Sequence, residues 1–309
     1  MTLWTDDAWR VGALAWMRHE LDRLGYDIVG APDQFHIRPW STIFRVPTRA
    51  GTVYFKAVPH QLAHEVRLTE WLASHFPDRV VPVLAADDRR GYMLFPEGGV
   101  RLRDVGTDPN IWRRLVVEYA QLQLLLEPQV SDLLALGVPD RRLVRLPNAL
   151  GAVLPAQERG LVIQYSALCD ELAAAGLPDT MQMDDLHDGN VLVDGSRLRV
   201  FDWGDASIAH PFFSLNMILA TMAERLGLAR DALEVQRVRD AYLEQFTAFA
   251  PIGALQTAAV LASRVVPTVR ILAWQLAYQK TAADDRTRPW GETLEELIEQ
   301  QRSALQTTS

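Results

Sequence analysis

Residues 181–207, MQMDDLHDGNVLVDGSRLRVFDWGDAS, constrain this chain more than any other stretch. Asn190 is followed by the apolar run Val191-Leu192-Val193 and then by Asp194-Gly195, a dipeptide that favours a tight hairpin turn. The chain returns through Leu198, Val200 and Phe201 alternating with Arg197 and Arg199, as a half-buried strand does. A hairpin lays its two ends side by side. Asn190, entering, and Asp202, leaving, are therefore expected within a few ångströms of each other, with Asp185 one loop back. Oxygen donors gathered this way suit Mg²⁺, a hard cation that takes about one or two protein carboxylates and fills its shell with water and phosphate.

The 309 residues suffice for two lobes, each with its own core. No uninterrupted apolar run approaches the roughly 18 residues that span a bilayer, and Asp6 and Asp7 stand where a signal peptide would be basic. No membrane association is expected. Cys169 is the single cysteine, which rules out an intrachain disulfide and suits the reducing cytoplasm. A net charge of −8 argues against nucleic acid and fits a neutral or cationic small substrate.

Thr5-Asp6-Asp7 reads as a helix start, and Trp9, Leu14, Met17, Leu21 and Leu24 recur at helical spacing until Gly25. Strands are expected over 34–39, 40–46 and 52–58, with Trp40-Ser41 between the first two, and over 80–86 and 91–95. Lys56 lies inside the third. A lysine among apolar and β-branched neighbours is costly to bury unless an anion meets it. An outward-facing strand lysine is the commoner case; Glu65 and Glu70 follow on the next helical segment, on different faces. Pro96-Glu97-Gly98-Gly99 breaks the pattern and sets a boundary between residues 1–97 and 98–309. Beyond it the chain reads as helical. Asp108-Pro109 opens a helix with the stripe Trp112, Leu115, Val116, Tyr119, Leu122 and Leu126. Further helix is expected over 148–175, 213–226, 230–249, 255–280 and 292–305, with a kink at Pro267.

Asp185-Leu186-His187-Asp188-Gly189-Asn190, followed by Asp202-Trp203-Gly204-Asp205, resembles the aminoglycoside phosphotransferase family, a branch of the protein-kinase-like fold. That family usually reads His-Gly-Asp-Leu-His-Pro-Gly-Asn and then Asp-Trp-Glu. Here Met183 replaces the first His, Asp184 the Gly, and Asp188 the Pro. The resemblance implies an α+β, bilobed fold. A small N-terminal lobe would carry an antiparallel five-stranded sheet plus helices, and a larger, mostly helical C-terminal lobe would carry a catalytic β-hairpin.

It also implies roles. Lys56, positioned by Glu65, would meet the α/β-phosphates of ATP or GTP, and Asn190 with Asp202 would hold Mg²⁺. Asp185 would orient the acceptor hydroxyl. His187 falls where protein kinases carry a lysine that faces the γ-phosphate. Residues 38–43 would cover the phosphates without a glycine, with Ser41 as contact, and Phe95 and Glu97 would lie in a hinge at the base. Asp205 is placed to brace the metal loop, the favoured role, or to meet an amino group on the substrate, and Glu224, Trp274, Asp284, Asp285 and Trp290 are available to an acceptor. The expected reaction moves a γ-phosphoryl group to a hydroxyl of a small molecule, an aminoglycoside-like antibiotic, an amino sugar or a metabolite, in a monomer or homodimer. A catalytically silent kinase-like binding protein is the other class.

Overall fold

The computed structural model describes residues 3–278 and 294–306. The chain divides into two compact units. One comprises the chain up to Val100 together with Leu192–Gly204; the other is built from Arg101–Val191 and Asp205–Gln275, with the last helix.

In the first unit the Asp6 carboxylate accepts the Trp9 N–H at 2.8 Å and starts helix α1 (Asp7–Arg23), as an acidic N-cap should. Ala13, Met17 and Leu21 of α1 are buried. Strands β1 (Asp33–Arg38), β2 (Ser41–Thr48), β3 (Gly51–Ala57), β4 (Ala85–Asp87) and β5 (Tyr92–Pro96) form an antiparallel five-stranded sheet of order β1-β2-β3-β5-β4. Phe44, Val53, Phe55 and Tyr92 pack with Met17 and Leu21 into one core. The rings of Phe55 and Tyr92 meet edge to face at 5.0 Å between centroids. Helix α2 (His64–His75) buries Glu65 and Leu68 and leaves Glu70 exposed.

Several expectations are corrected here. Ser41 is the first residue of β2 rather than part of the turn, so residues 38–43 form a tight hairpin around Pro39-Trp40. The strand expected over 80–86 shrinks to Ala85–Asp87, because Pro82 offers no N–H and interrupts pairing. Val80 instead bridges Val200.

The central hairpin consists of β8 (Val191–Asp194) and β9 (Arg197–Val200), which join β6 (Val100–Arg101) in a sheet of order β6-β8-β9. It turns at Gly195-Ser196, one residue later than expected, and Phe201 lies outside the strand. Arg199, expected outside, is 9% exposed because its guanidinium folds back onto Asp194 at 2.9 Å.

The second unit holds α3 (Leu102–Val105), α4 (Pro109–Leu126), α5 (Val130–Ala135), α6 (Leu146–Val153), α7 (Leu161–Ala173), α8 (Phe213–Leu226), α9 (Leu233–Leu243), α10 (Ile252–Tyr278) and α11 (Leu294–Gln306). The expected stripe of α4 is buried along its length. The helix expected over 148–175 is split into α6 and α7, since Pro155 cannot continue a helix. Ile252–Ala277 is long and apolar enough to cross a membrane by length and composition alone, although Arg264 and Arg270 interrupt its apolar run. Its composition has a packing explanation. Leu255, Ala258, Val265 and Val269 are buried, the Tyr165 hydroxyl donates to the Val265 carbonyl at 3.1 Å, and the Thr268 N–H donates to Gln301 at 3.0 Å.

β7 (Thr180–Met183) pairs with β10 (Ala206–Ala209), Met183 opposite Ala206. A buried polar network under this ladder fixes its end. The Ser214 hydroxyl accepts the Met183 N–H and contacts the Tyr119 hydroxyl, both at 3.0 Å. The Gln123 amide donates to the carbonyls of Met181 at 3.0 Å and Pro211 at 3.1 Å. Such fully satisfied networks hold backbone rigidly in a low-dielectric interior.

Candidate active site

In the first unit Lys56 lies on β3 with Ile43 and Met93 as its cross-strand partners. The residue is 8% exposed. Its ammonium donates to Glu65 Oε1 and, at 2.5 Å, to Asp202 Oδ1. Burial alone would push the Lys56 pKa down, but the carboxylates of Asp202 and Glu65 outweigh it and hold the amine firmly protonated. With two carboxylates around one ammonium, the deeper one takes the surplus. Burial pushes Glu65, 3% exposed, up to about 7 against the pull of Lys56.

Asp202 has φ +68°, the one non-glycine residue with positive φ among those described. This left-handed conformation is uncommon for a side-chain-bearing residue and persists where surroundings impose it. Here α2 imposes it. His64 Nε2 contacts the Gly204 carbonyl at 3.1 Å, and a Cβ on Gly204 would come within 2.9 Å of Glu65 Oε2. The resembling family's glutamate at this position would face the Glu65 carboxylate, so glycine fits where Glu65 is already spoken for.

In the second unit the turn after β7 carries Asp185. Asn190 donates its amide N–H to the Asp185 carbonyl at 3.0 Å and to Asp185 Oδ2 at 3.2 Å. That orientation sends the amide oxygen the other way, free for a cation. His187 Nε2 lies 3.3 Å from the same Oδ2, while its Nδ1 accepts the Gly189 N–H at 2.8 Å. A ring that accepts at Nδ1 carries its proton on Nε2 and points it at Asp185. Burial would lower the His187 pKa; the hydrogen bond and charge of Asp185 more than reverse this and raise it. Asp185 thus has Oδ2 engaged twice and is 39% exposed on its side chain, which leaves a carboxylate oxygen for a hydroxyl.

Three contacts of this loop were not foreseen from the sequence. Asp188 is buried, and its Oδ2 accepts Arg225 Nε at 2.8 Å and Nη2 at 2.7 Å. The Asp188 carbonyl accepts the Arg103 N–H at 3.1 Å. Arg141, 4% exposed, is buried with Nη1 unpartnered; burial lowers its pKa while the charges of Asp184 and Asp205 oppose that. Asp184 and Asp205 follow directly on the Met183–Ala206 pair at the end of the ladder, so an interior cation balances two acids there. A buried acid where glycine is usual was the available signal for Arg141; nothing local pointed to Arg225 or Arg103.

The remaining candidates sit as follows. Ser41 is 4% exposed at the start of β2, Phe95 is half-buried on β5, and Glu97 is exposed just past its end. Glu224 is exposed on α8. Trp274 lies on α10. Asp284, Asp285 and Trp290 lie outside the described residues. Among the described residues no three His, Cys, Asp or Glu side chains converge into a metal cage. Asn190, in the second unit, offers an amide oxygen and Asp202, in the first, a carboxylate oxygen, each a hard donor of the kind Mg²⁺ takes.

A sequence model of the phosphotransferase enzyme family matches residues 38–255. No curated protein matches the chain. Among solved structures, a choline/ethanolamine kinase family protein from Mesorhizobium loti is 16% identical, with a TM-score of 0.63 over 96% of this chain and 95% of that one. A macrolide 2′-phosphotransferase type I is 13% identical, with a TM-score of 0.59 over 96% and 97%. An amicoumacin kinase in complex with AMP-PNP, Ca²⁺ and Ami is 10% identical, with a TM-score of 0.57 over 93% of this chain and 92% of that one. At these identities the likeness is one of fold.

Proposed function

The chain belongs to the phosphotransferase enzyme family, and from that premise we propose that it moves the γ-phosphoryl group of ATP or GTP to a hydroxyl of a small molecule. The observation that carries this reading is the buried Lys56 ammonium shared by Glu65 and Asp202. A lysine held protonated in an interior is a costly arrangement, and phosphates of a nucleotide are the anions such a cation serves in kinase-like folds. In this reading residues 1–97 carry the nucleotide and 98–309 the acceptor. Ser41 lies toward the phosphates, and the backbone around Phe95 and Glu97 toward the base.

Asn190 and Asp202 would hold Mg²⁺, which when bound neutralises phosphate charge. Asp185 does the work of this chain at the acceptor. It takes a hydrogen bond from the hydroxyl, orients the oxygen for in-line attack and receives the proton late. His187 and Asn190 keep its carboxylate in one rotamer. Choline-like alcohols, macrolides, fructosamines and aminoglycosides are the first acceptors to try, because the solved structures similar in fold are named for them.

The test pairs a turnover assay with a binding assay. Wild-type protein with Mg²⁺ and ATP or GTP should bind the nucleotide and turn it over against that acceptor panel. Asp185→Asn should lower turnover by about 10²–10⁴ and leave Mg–AMP-PNP affinity unchanged in calorimetry. Wild-type protein that binds no Mg-nucleotide sinks the proposal, and equal turnover by the variant removes Asp185 from its role.

A further inference from the structure

Arg103, in the first turn of α3, is docked on the catalytic loop without an ion pair. Its backbone N–H reaches the Asp188 carbonyl at 3.1 Å. Its guanidinium lies over Gly189 so closely that a Cβ there would stand 1.4 Å from Nη2. The side chain's one hydrogen-bond partner among the described residues is His187 Nδ1, at 3.4 Å. That distance is at the limit of a hydrogen bond, and the ring nitrogen is already taken by the Gly189 N–H at 2.8 Å. Asp188 has its Oδ2 committed to Arg225, and its Oδ1 lies 3.7 Å from His187 Nδ1. Among the described residues the Arg103 guanidinium therefore has no carboxylate partner.

Asp185 lies on the far side of the same imidazole, 3.3 Å from Nε2. An acceptor oxygen bonded to Asp185 sits about 3 Å from it, and a phosphorus poised for attack about 3–3.5 Å beyond. Arg103 and Asp185 thus flank one imidazole, and the long, exposed arginine side chain can swing toward a phosphoryl group bound beside it.

On the phosphotransferase reading above, we propose that Arg103 is a further catalytic residue, a guanidinium supplied by the chain itself that meets the phosphoryl group in transit. In the step, the bond from the γ-phosphorus to the β,γ-bridging oxygen breaks and its electron pair leaves with the nucleoside diphosphate. The bond to the acceptor oxygen forms, and the acceptor proton passes to Asp185. The three equatorial oxygens carry the charge in between, and a planar fork of N–H donors is matched to them. Arginines in this role raise turnover by about 10³–10⁵ in other nucleoside triphosphatases. An exposed guanidinium, partly screened by water, is worth less.

The experiment needs no known acceptor. Affinities for Mg-ADP and for Mg-ADP with aluminium fluoride, a planar anion that imitates the phosphoryl group in flight, are measured by calorimetry for wild type, Arg103→Met and Arg103→Lys. Wild type should bind the fluoride complex more tightly than Mg-ADP alone. Arg103→Met should lose at least tenfold of that affinity with Mg-ADP binding unchanged, and Arg103→Lys should keep part of it. The loss should persist in a His187→Ala background.

Equal affinities in wild type and Arg103→Met overturn the proposal, as does a fluoride complex no tighter than Mg-ADP in wild type. Disappearance of the effect in the His187→Ala background overturns it too, because Arg103 then acts only by orienting the ring. Wild-type protein that fails to bind Mg-ADP at all overturns the phosphotransferase reading itself, a separate outcome.

Discussion

The Asp188–Arg225 pair makes an asymmetric prediction. Both guanidinium contacts fall on one oxygen, at 2.8 and 2.7 Å, yet the Asp188 side chain is 3% exposed and that of Arg225 is 40% exposed. Deleting either partner removes the same hydrogen bonds and leaves a different orphan. Arg225→Met leaves a carboxylate that water barely reaches, and removing one partner of a buried pair costs about 3–5 kcal/mol. Solvent can follow into the space on the arginine side, which brings the expected cost to about 2–3 kcal/mol. Asp188→Asn leaves a cation already half in water and an amide oxygen still able to accept, for about 1 kcal/mol. The more exposed partner is therefore the more damaging one to remove. Urea denaturation of both variants and the double variant at neutral pH reads this directly. The double variant should be more stable than Arg225→Met alone, since it lacks the stranded charge. The reverse order of the single variants, or losses below about 0.5 kcal/mol for both, would refute the reasoning.

Lys56→Met should weaken Mg–AMP-PNP binding at least tenfold, about 1.4 kcal/mol, with the fold retained; calorimetry showing wild-type affinity would remove Lys56 from the phosphate site. Gly189→Ala must displace Arg103 Nη2 and His187 Cε1, which a Cβ would meet at 1.4 and 2.5 Å. Turnover should fall by about tenfold or more while thermal stability stays near wild type, and unchanged turnover would show that this packing is not used. Burial holds His210 down at about 3 against its usual 6.5. The folded chain refuses a proton that the unfolded chain accepts, so stability is complete above pH 6.5 and is lost as pH falls toward 3. The loss is on the order of 2 kcal/mol by pH 5 and 5 kcal/mol by pH 3. His210→Phe should flatten that acid limb, and an identical slope in denaturation experiments would rule the residue out.

Local pattern was enough for the elements whose burial repeats with the period of the backbone. The stripe of α4 could be read directly, because side chains at fixed offsets share one face, and so could the acidic cap of α1. The choice of Glu65 over Glu70 as partner of Lys56 came from the family resemblance, with helical offsets setting the two on different faces. Interruptions were harder. Pro82 and Pro155 were visible letters, but the length of strand or helix they removed depended on what packed nearby.

Long-range partners had no local signal at all. Asp202 reaches Lys56 across 146 positions, Arg103 reaches His187 across 84, and Arg225 reaches Asp188 across 37. A long charged side chain looks the same in sequence whether it lies in water or on a loop. Periodicity and cap chemistry, which act within a few residues, decided what the segments of this chain are. Which charges stand alone and which are matched was decided only when folding brought distant segments together, since Coulomb and desolvation energies depend on distance in space.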